Sequence, residues 1–218
     1  MHDWTKQIID LAAGVFLLAA IGVLWRRQVS ALIILLTVQG AALTVIAATL
    51  ALGQHDATAV AVATAVGLLK IGLIPAMLWR IHRLVPDARE TRPLANVTAS
   101  LLAAVGLTLV AYAAAGPIVA VATASSGHAV PVGIAGLLIG LFLAATRTRA
   151  ISQIIGVLLV DNGIAAVAFL ATGGVPVVVE LGVSADLILA VAVLQILSVR
   201  LHTGLGVADL DELRELHD

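Results

Sequence analysis

Seven apolar stretches follow one another along this chain, each about long enough to cross a bilayer as a helix: Ile8–Leu24, Ser30–Leu52, Ala57–Trp79, Val97–Ala122, Val130–Thr146, Ile151–Leu170 and Val175–Val199. A hydrocarbon core takes about 20 such residues at the rise of an α-helix. Inside it every backbone N–H and C=O must be satisfied within the protein, so only helices and closed barrels span. Ala, Val, Leu and Ile dominate all seven stretches, and none alternates with the period of two that a membrane strand requires. The expected fold is therefore an all-α integral membrane protein of seven transmembrane helices. Composition agrees: 61% of the 218 residues are apolar and 11% charged, too few polar groups to coat a water-soluble core.

The same composition removes several function classes. A formal net charge of −1, with no basic block, offers nothing to wrap a nucleic-acid backbone. The absence of cysteine excludes disulfides, thiolate-bound zinc, Cys-ligated iron–sulfur clusters and cysteine nucleophiles. The opening MHDWTKQIID has neither the basic n-region nor the cleavage site of a secretory signal, so the first stretch is read as a retained helix.

Seven crossings place Arg26, Arg27, Arg80, Arg83, Arg89, Arg92, Arg147, Arg149, Arg200 and Arg214 on one side, ten of the 12 basic residues. Lys6 is alone on the other side, and Lys70 falls inside a span. Basic loops stay cytoplasmic, so the N-terminus is expected outside and the C-terminus inside. Trp4, Trp25 and Trp79 sit at span ends, where an aromatic belt belongs. Span four carries Gly116-Pro117 in its second half, and proline there favours a kink.

The spans group into two similar units. Arg27-x-x-Ser30 opens span two and Arg149-x-x-Ser152 opens span six. Twelve residues beyond each arginine stand Gln39 and Asp161, and both helices close on Leu-Ala-x-Gly, at Gly53 and Gly173. Two odd-numbered units share one chain direction only if an extra crossing separates them, which span four supplies; the repeat is parallel. The expected organisation is a three-helix unit over 1–84, a cytoplasmic linker and fourth helix over 85–129, a second three-helix unit over 130–202 and an amphipathic cytoplasmic tail over 203–218.

A charge at mid-bilayer costs at least about 2.5–3.5 kcal/mol and persists when it is paired or functional. Lys70, Asp161 and Asp186 fall near the middles of their spans, with Gln39, Asn162 and Gln195 as polar neighbours. Low-dielectric surroundings disfavour the charged form of carboxyls and amines alike, which suits groups that take up and release protons. The plainer reading is that Lys70 pairs with one aspartate and holds helices together. One lysine cannot neutralise two acids, and this leaves a carboxyl for function. Glu180 follows Pro176 near the start of the last span, where a helix N-terminus stabilises a carboxylate and a proton-uptake role is the alternative. The histidines lack metal-ligand spacing and read as solvated side chains. No Walker, GxSxG, HExxH or dinucleotide motif is present.

The segment LLVDNGIAAVAFLATGGVPVVVELGVSADLILAVAVLQIL, the LDELRELHD ending and KIGLIPAMLWRIHRL resemble the hydrogenase-4 component E family, HyfE. The resemblance extends in length and order of features over nearly the whole chain, and the last three helices resemble NuoK of respiratory complex I. It implies a non-catalytic membrane subunit of a formate hydrogenlyase-type nickel–iron hydrogenase complex in a bacterial or archaeal cytoplasmic membrane. Its partners would be antiporter-like and NuoH-like membrane subunits and cytoplasmic hydrogenase subunits. The nickel–iron centre and iron–sulfur clusters would belong to those partners, with no cofactor here. On this resemblance Asp161 occupies the place of the family's usual glutamate in an ENGI-like motif, and Asp186 that of the acid of the final helix. The alternatives are a subunit of a multisubunit cation/proton antiporter and a purely structural membrane scaffold. A retinal photoreceptor is excluded: its Schiff-base lysine belongs in the last helix, whereas the one intramembrane lysine is in span three.

Overall fold

The fold is described from a computed structural model over residues 3–54, 56–84, 96–122 and 126–175. These residues form helices throughout, with no strand among them: α1 (Asp3–Trp25), α2 (Val29–Gln54), α3 (Ala57–Gly67), α4 (Ile74–Leu84), α5 (Val97–Ala114), α6 (Gly116–Val121), α7 (Val130–Thr146) and α8 (Ala150–Thr172). Six helical segments are long and apolar enough to cross a membrane: Trp4–Trp25, Val29–Gln54, Ala57–Arg83, Val97–Ala114, Gly127–Thr146 and Ile151–Thr172. They match the first six expected spans. The seventh, Val175–Val199, lies outside the described residues, as do Glu180, Asp186, Gln195 and the tail.

Local chemistry sets the boundaries. Asp56 caps α3 by accepting from Thr58 N at 3.0 Å, and Asn96 caps α5 by accepting from Ala99 N at 2.7 Å. Gly173 ends α8 in the left-handed conformation at φ 66°, where a side chain would be strained. Inside the helices Thr37, Thr44, Thr64, Thr108 and Thr146 each donate to the carbonyl four residues back at 2.7–2.8 Å. A hydroxyl satisfied on its own helix needs no water. The fourth span is divided: α5 stops at Ala114, and Pro117, which has no N–H to donate, is placed in the first turn of α6.

The third span holds a feature that hydropathy alone does not foretell. Between α3 and α4 the helix widens into a π-helical stretch, Leu68–Leu73, and Ile74 N–H reaches back five residues to Leu69 O. Pro75 follows at once; its ring would clash with the carbonyl four residues earlier, and a widened turn makes room for it.

Helices α7 and α8 form the tightest antiparallel pair, through glycines spaced seven apart, or two helical turns, on both. A Cβ on Gly140 would lie 2.7 Å from Val160 N, and one on Gly163 would lie 2.5 Å from Leu137 N. Close backbone approach of this kind suits a membrane, where apolar burial gives helices no advantage over lipid. Two further pairs run parallel, side by side. Along α1 and α7, Asp10 meets His128, Phe16 meets Gly136, and the Val23 and Leu24 carbonyls meet Arg147. Along α2 and α8, Gln39 meets Asn162 and Gln54 meets Gly173. These are the helices that the doubled motif pairs in sequence. Outward faces stay apolar, with Leu11, Leu18, Leu52, Leu68, Leu102 and Leu109 exposed; a lipid-facing surface requires that.

Candidate functional site

Midway along α2, the π-helical stretch and α8 lies a group of polar side chains, set among mostly apolar ones of the described residues. Lys70, inside that stretch, is buried, and its ammonium group donates to Asp161 Oδ2 on α8 in an ion pair. The Asp161 side chain remains 25% exposed, so the pair is open on the carboxylate side. Lys70 comes this close to α2 because position 40 is glycine: a Cβ there would stand 2.9 Å from Lys70 Cβ and 3.0 Å from Lys70 O.

On the neighbouring face of α8, Asn162 donates its Nδ2 to Gln39 Oε1 at 2.9 Å, and both residues are almost wholly buried. One donor, Gln39 Nε2, and one acceptor, Asn162 Oδ1, are buried without a hydrogen-bond partner among the described residues. Exchanging O and N in both amides would leave the same remainder, since a single amide–amide bond always spares one donor and one acceptor. A buried cation, a carboxylate and two amides make a short polar track across an apolar interior. In low dielectric such groups polarise one another strongly.

Of the residues singled out in the sequence, Lys70, Asp161 and Gln39 come together here, with Asn162. Asp186 and Glu180 lie outside the described residues. Three features had no part in the expectation. The π-helical backbone presents Lys70, and Pro75 was its one sequence signal. His128 Nε2 lies 2.6 Å from Asp10 Oδ1 at the bundle end opposite the arginines, both side chains about half exposed. Arg147 is buried and does more than balance membrane charge: its Nη2 donates to Arg26 O at 2.9 Å and to Val23 O and Leu24 O at 3.4 Å. It thereby satisfies the orphan carbonyls at the end of α1. Among the described residues no three His, Asp or Glu side chains gather as metal ligands.

Fold and site together define the class: a multi-pass, all-helical membrane protein with a buried ion pair flanked by paired amides. The chain belongs to the family of a Mycobacterium tuberculosis (strain ATCC 25618 / H37Rv) protein named Uncharacterized protein Rv0085, with 44% identity over 212 residues covering 97% of this chain and 96% of that one. No family model and no solved structure matches it.

Proposed function

We propose that this protein is a non-catalytic membrane subunit of a complex I-like, proton- or sodium-translocating oxidoreductase of the nickel–iron hydrogenase or formate hydrogenlyase type, to which it contributes buried carboxylates of the ion path or its coupling. The observation that carries the reading is the Lys70–Asp161 ion pair with Gln39 and Asn162 beside it at mid-span. The carboxylate of the pair is 25% exposed while the ammonium is buried, and charges so placed in low dielectric respond strongly to a change in a neighbouring charge. The resemblance of the Asp161-Asn162-Gly163 segment to the HyfE motif supplies the kind of complex. Nickel, iron–sulfur clusters and electron transfer belong to partner subunits, consistent with a chain that has no cysteine to ligate a cluster. The basic loops support seven crossings with the N-terminus outside and the C-terminus cytoplasmic, and Asp186 and Glu180 are the further acids of the path.

Purification of the tagged native protein in mild detergent tests the assignment. Hydrogenase and antiporter-like subunits co-purify if it holds; recovery alone, or with cation-antiporter subunits only, overturns it. In the intact complex Asp161→Asn abolishes ion translocation while assembly persists. Unchanged translocation makes the Lys70–Asp161 pair a helix clamp, the second reading, which the direct contact between the π-helical stretch and α8 favours.

A further inference from the structure

Gln39 and Asn162 stand inside α2 and α8, whose backbone N–H and C=O groups bond within each helix. A side-chain amide placed there has to find its partners elsewhere. It carries two donor hydrogens and an acceptor oxygen. The bond between the pair, from Asn162 Nδ2 to Gln39 Oε1 at 2.9 Å, joins the amides along one edge only. The second terminal atom of each, Gln39 Nε2 and Asn162 Oδ1, is buried with no hydrogen-bond partner among the described residues. Covalent structure keeps both atoms next to the bond already made, and they do not bond each other. The hydroxyls of the neighbouring turns of α2, Thr37 and Thr44, already donate to the carbonyls of Ile33 and Gly40. Neither has a proton left for Asn162 Oδ1.

The ligand these atoms call for follows from their chemistry. A cation would meet the Nε2–H group, and an anion would meet the Oδ1 lone pairs. Exchanging O and N in both amides leaves one donor and one acceptor as before. What fits is a small neutral molecule that accepts one hydrogen bond and donates another. Water does both, and buried water sits where polar groups lack protein partners. A water bridge is nearly as favourable as a direct hydrogen bond. The place is next to the ion pair along both helices: Gln39 adjoins Gly40, against which Lys70 packs, and Asn162 adjoins Asp161.

We infer that Gln39 and Asn162 form a binding site for one internal water molecule at mid-span, which accepts from Gln39 Nε2, donates to Asn162 Oδ1 and completes the polar link between α2 and α8. The inference does not depend on the ion-path reading. The test is X-ray hydroxyl-radical footprinting of the full-length protein in detergent, because radicals made from a bound water mark the side chains beside it where bulk solvent does not reach. Leu43, one turn beyond Gln39, and Leu159, one turn before Asn162, lie on the same helix faces as the two amides. Both are modified several-fold more than Leu32, which is as fully buried on α2. Gln39→Leu/Asn162→Leu removes donor and acceptor together and returns both leucines to the Leu32 level. Modification of Leu43 and Leu159 at the Leu32 level in the unaltered protein overturns the site, whether or not the double variant folds. Modification that survives in the folded double variant overturns it as well. Sodium chloride, with choline chloride as the control, leaves the marking in place. Loss of marking with sodium alone means that a cation takes the position, and overturns water as the ligand.

Discussion

Lys70 is held between two helices that contribute differently to it: α8 supplies the carboxylate and α2 supplies room, through Gly40. Removing one member of such a pair leaves a charge uncompensated in an apolar interior, at a cost of about 3–5 kcal/mol. Lys70→Met is therefore expected to destabilise the protein by about 3 kcal/mol in a micelle unfolding titration. The double variant Lys70→Met/Asp161→Leu should lose much less than the sum of the single changes. Additive losses would mean that the two side chains do not interact in the membrane-embedded protein. Lys70 and Asp161 were legible in the sequence because mid-span charges are rare. Their partnership was not, since an ion pair 91 positions apart along the chain is set by helix packing that no local pattern encodes.

The helices owe their contacts to small residues and terminal satisfaction more than to apolar burial. Gly163→Ala would drive a methyl against the backbone of Leu137, and α7 and α8 must part to admit it. A loss of about 1–3 kcal/mol is expected in the same titration. Gly14→Ala is the control, because a Cβ there meets nothing within 4 Å, and it should be neutral or slightly stabilising. Arg147→Met strips the donor from the Val23 and Leu24 carbonyls at the end of α1 and from that of Arg26 just beyond it, and should cost about 1–3 kcal/mol. Amide exchange rising first in the last turn of α1 would confirm the cause. Span four shows what an element inherits from one residue: Pro117 suggested a kink, and the chain there closes one helix at Ala114 and starts another.

Across the molecule the arginine turns gather at one end, and Asp10, Gln54, Asp56 and His128 at the other. The chain has no native cysteine, so single introduced cysteines report their side of the membrane without background. Thr148→Cys should react with an impermeant maleimide only in inverted vesicles, and Gln54→Cys only in intact cells. The reverse pattern would invert the proposed orientation, and equal labelling of both would refute a bundle with two opposed ends. The parallel contacts of α1 with α7 and of α2 with α8 make the doubled motif a spatial fact, with matched helices as direct neighbours.

Hydropathy by itself determined that this protein is a helical membrane protein, where its first six spans lie and which buried charges deserve notice. Lipid imposes those outcomes locally, through the length of an apolar run and the cost of each charge within it. Only the tertiary structure decided that Lys70 meets Asp161, that Asn162 meets Gln39, that Arg147 caps α1 and that the two arginine turns adjoin. Those pairings follow from which helix faces carry glycine and how closely the backbones then approach. Spacing along one helix does not specify its neighbour; close packing between helices does.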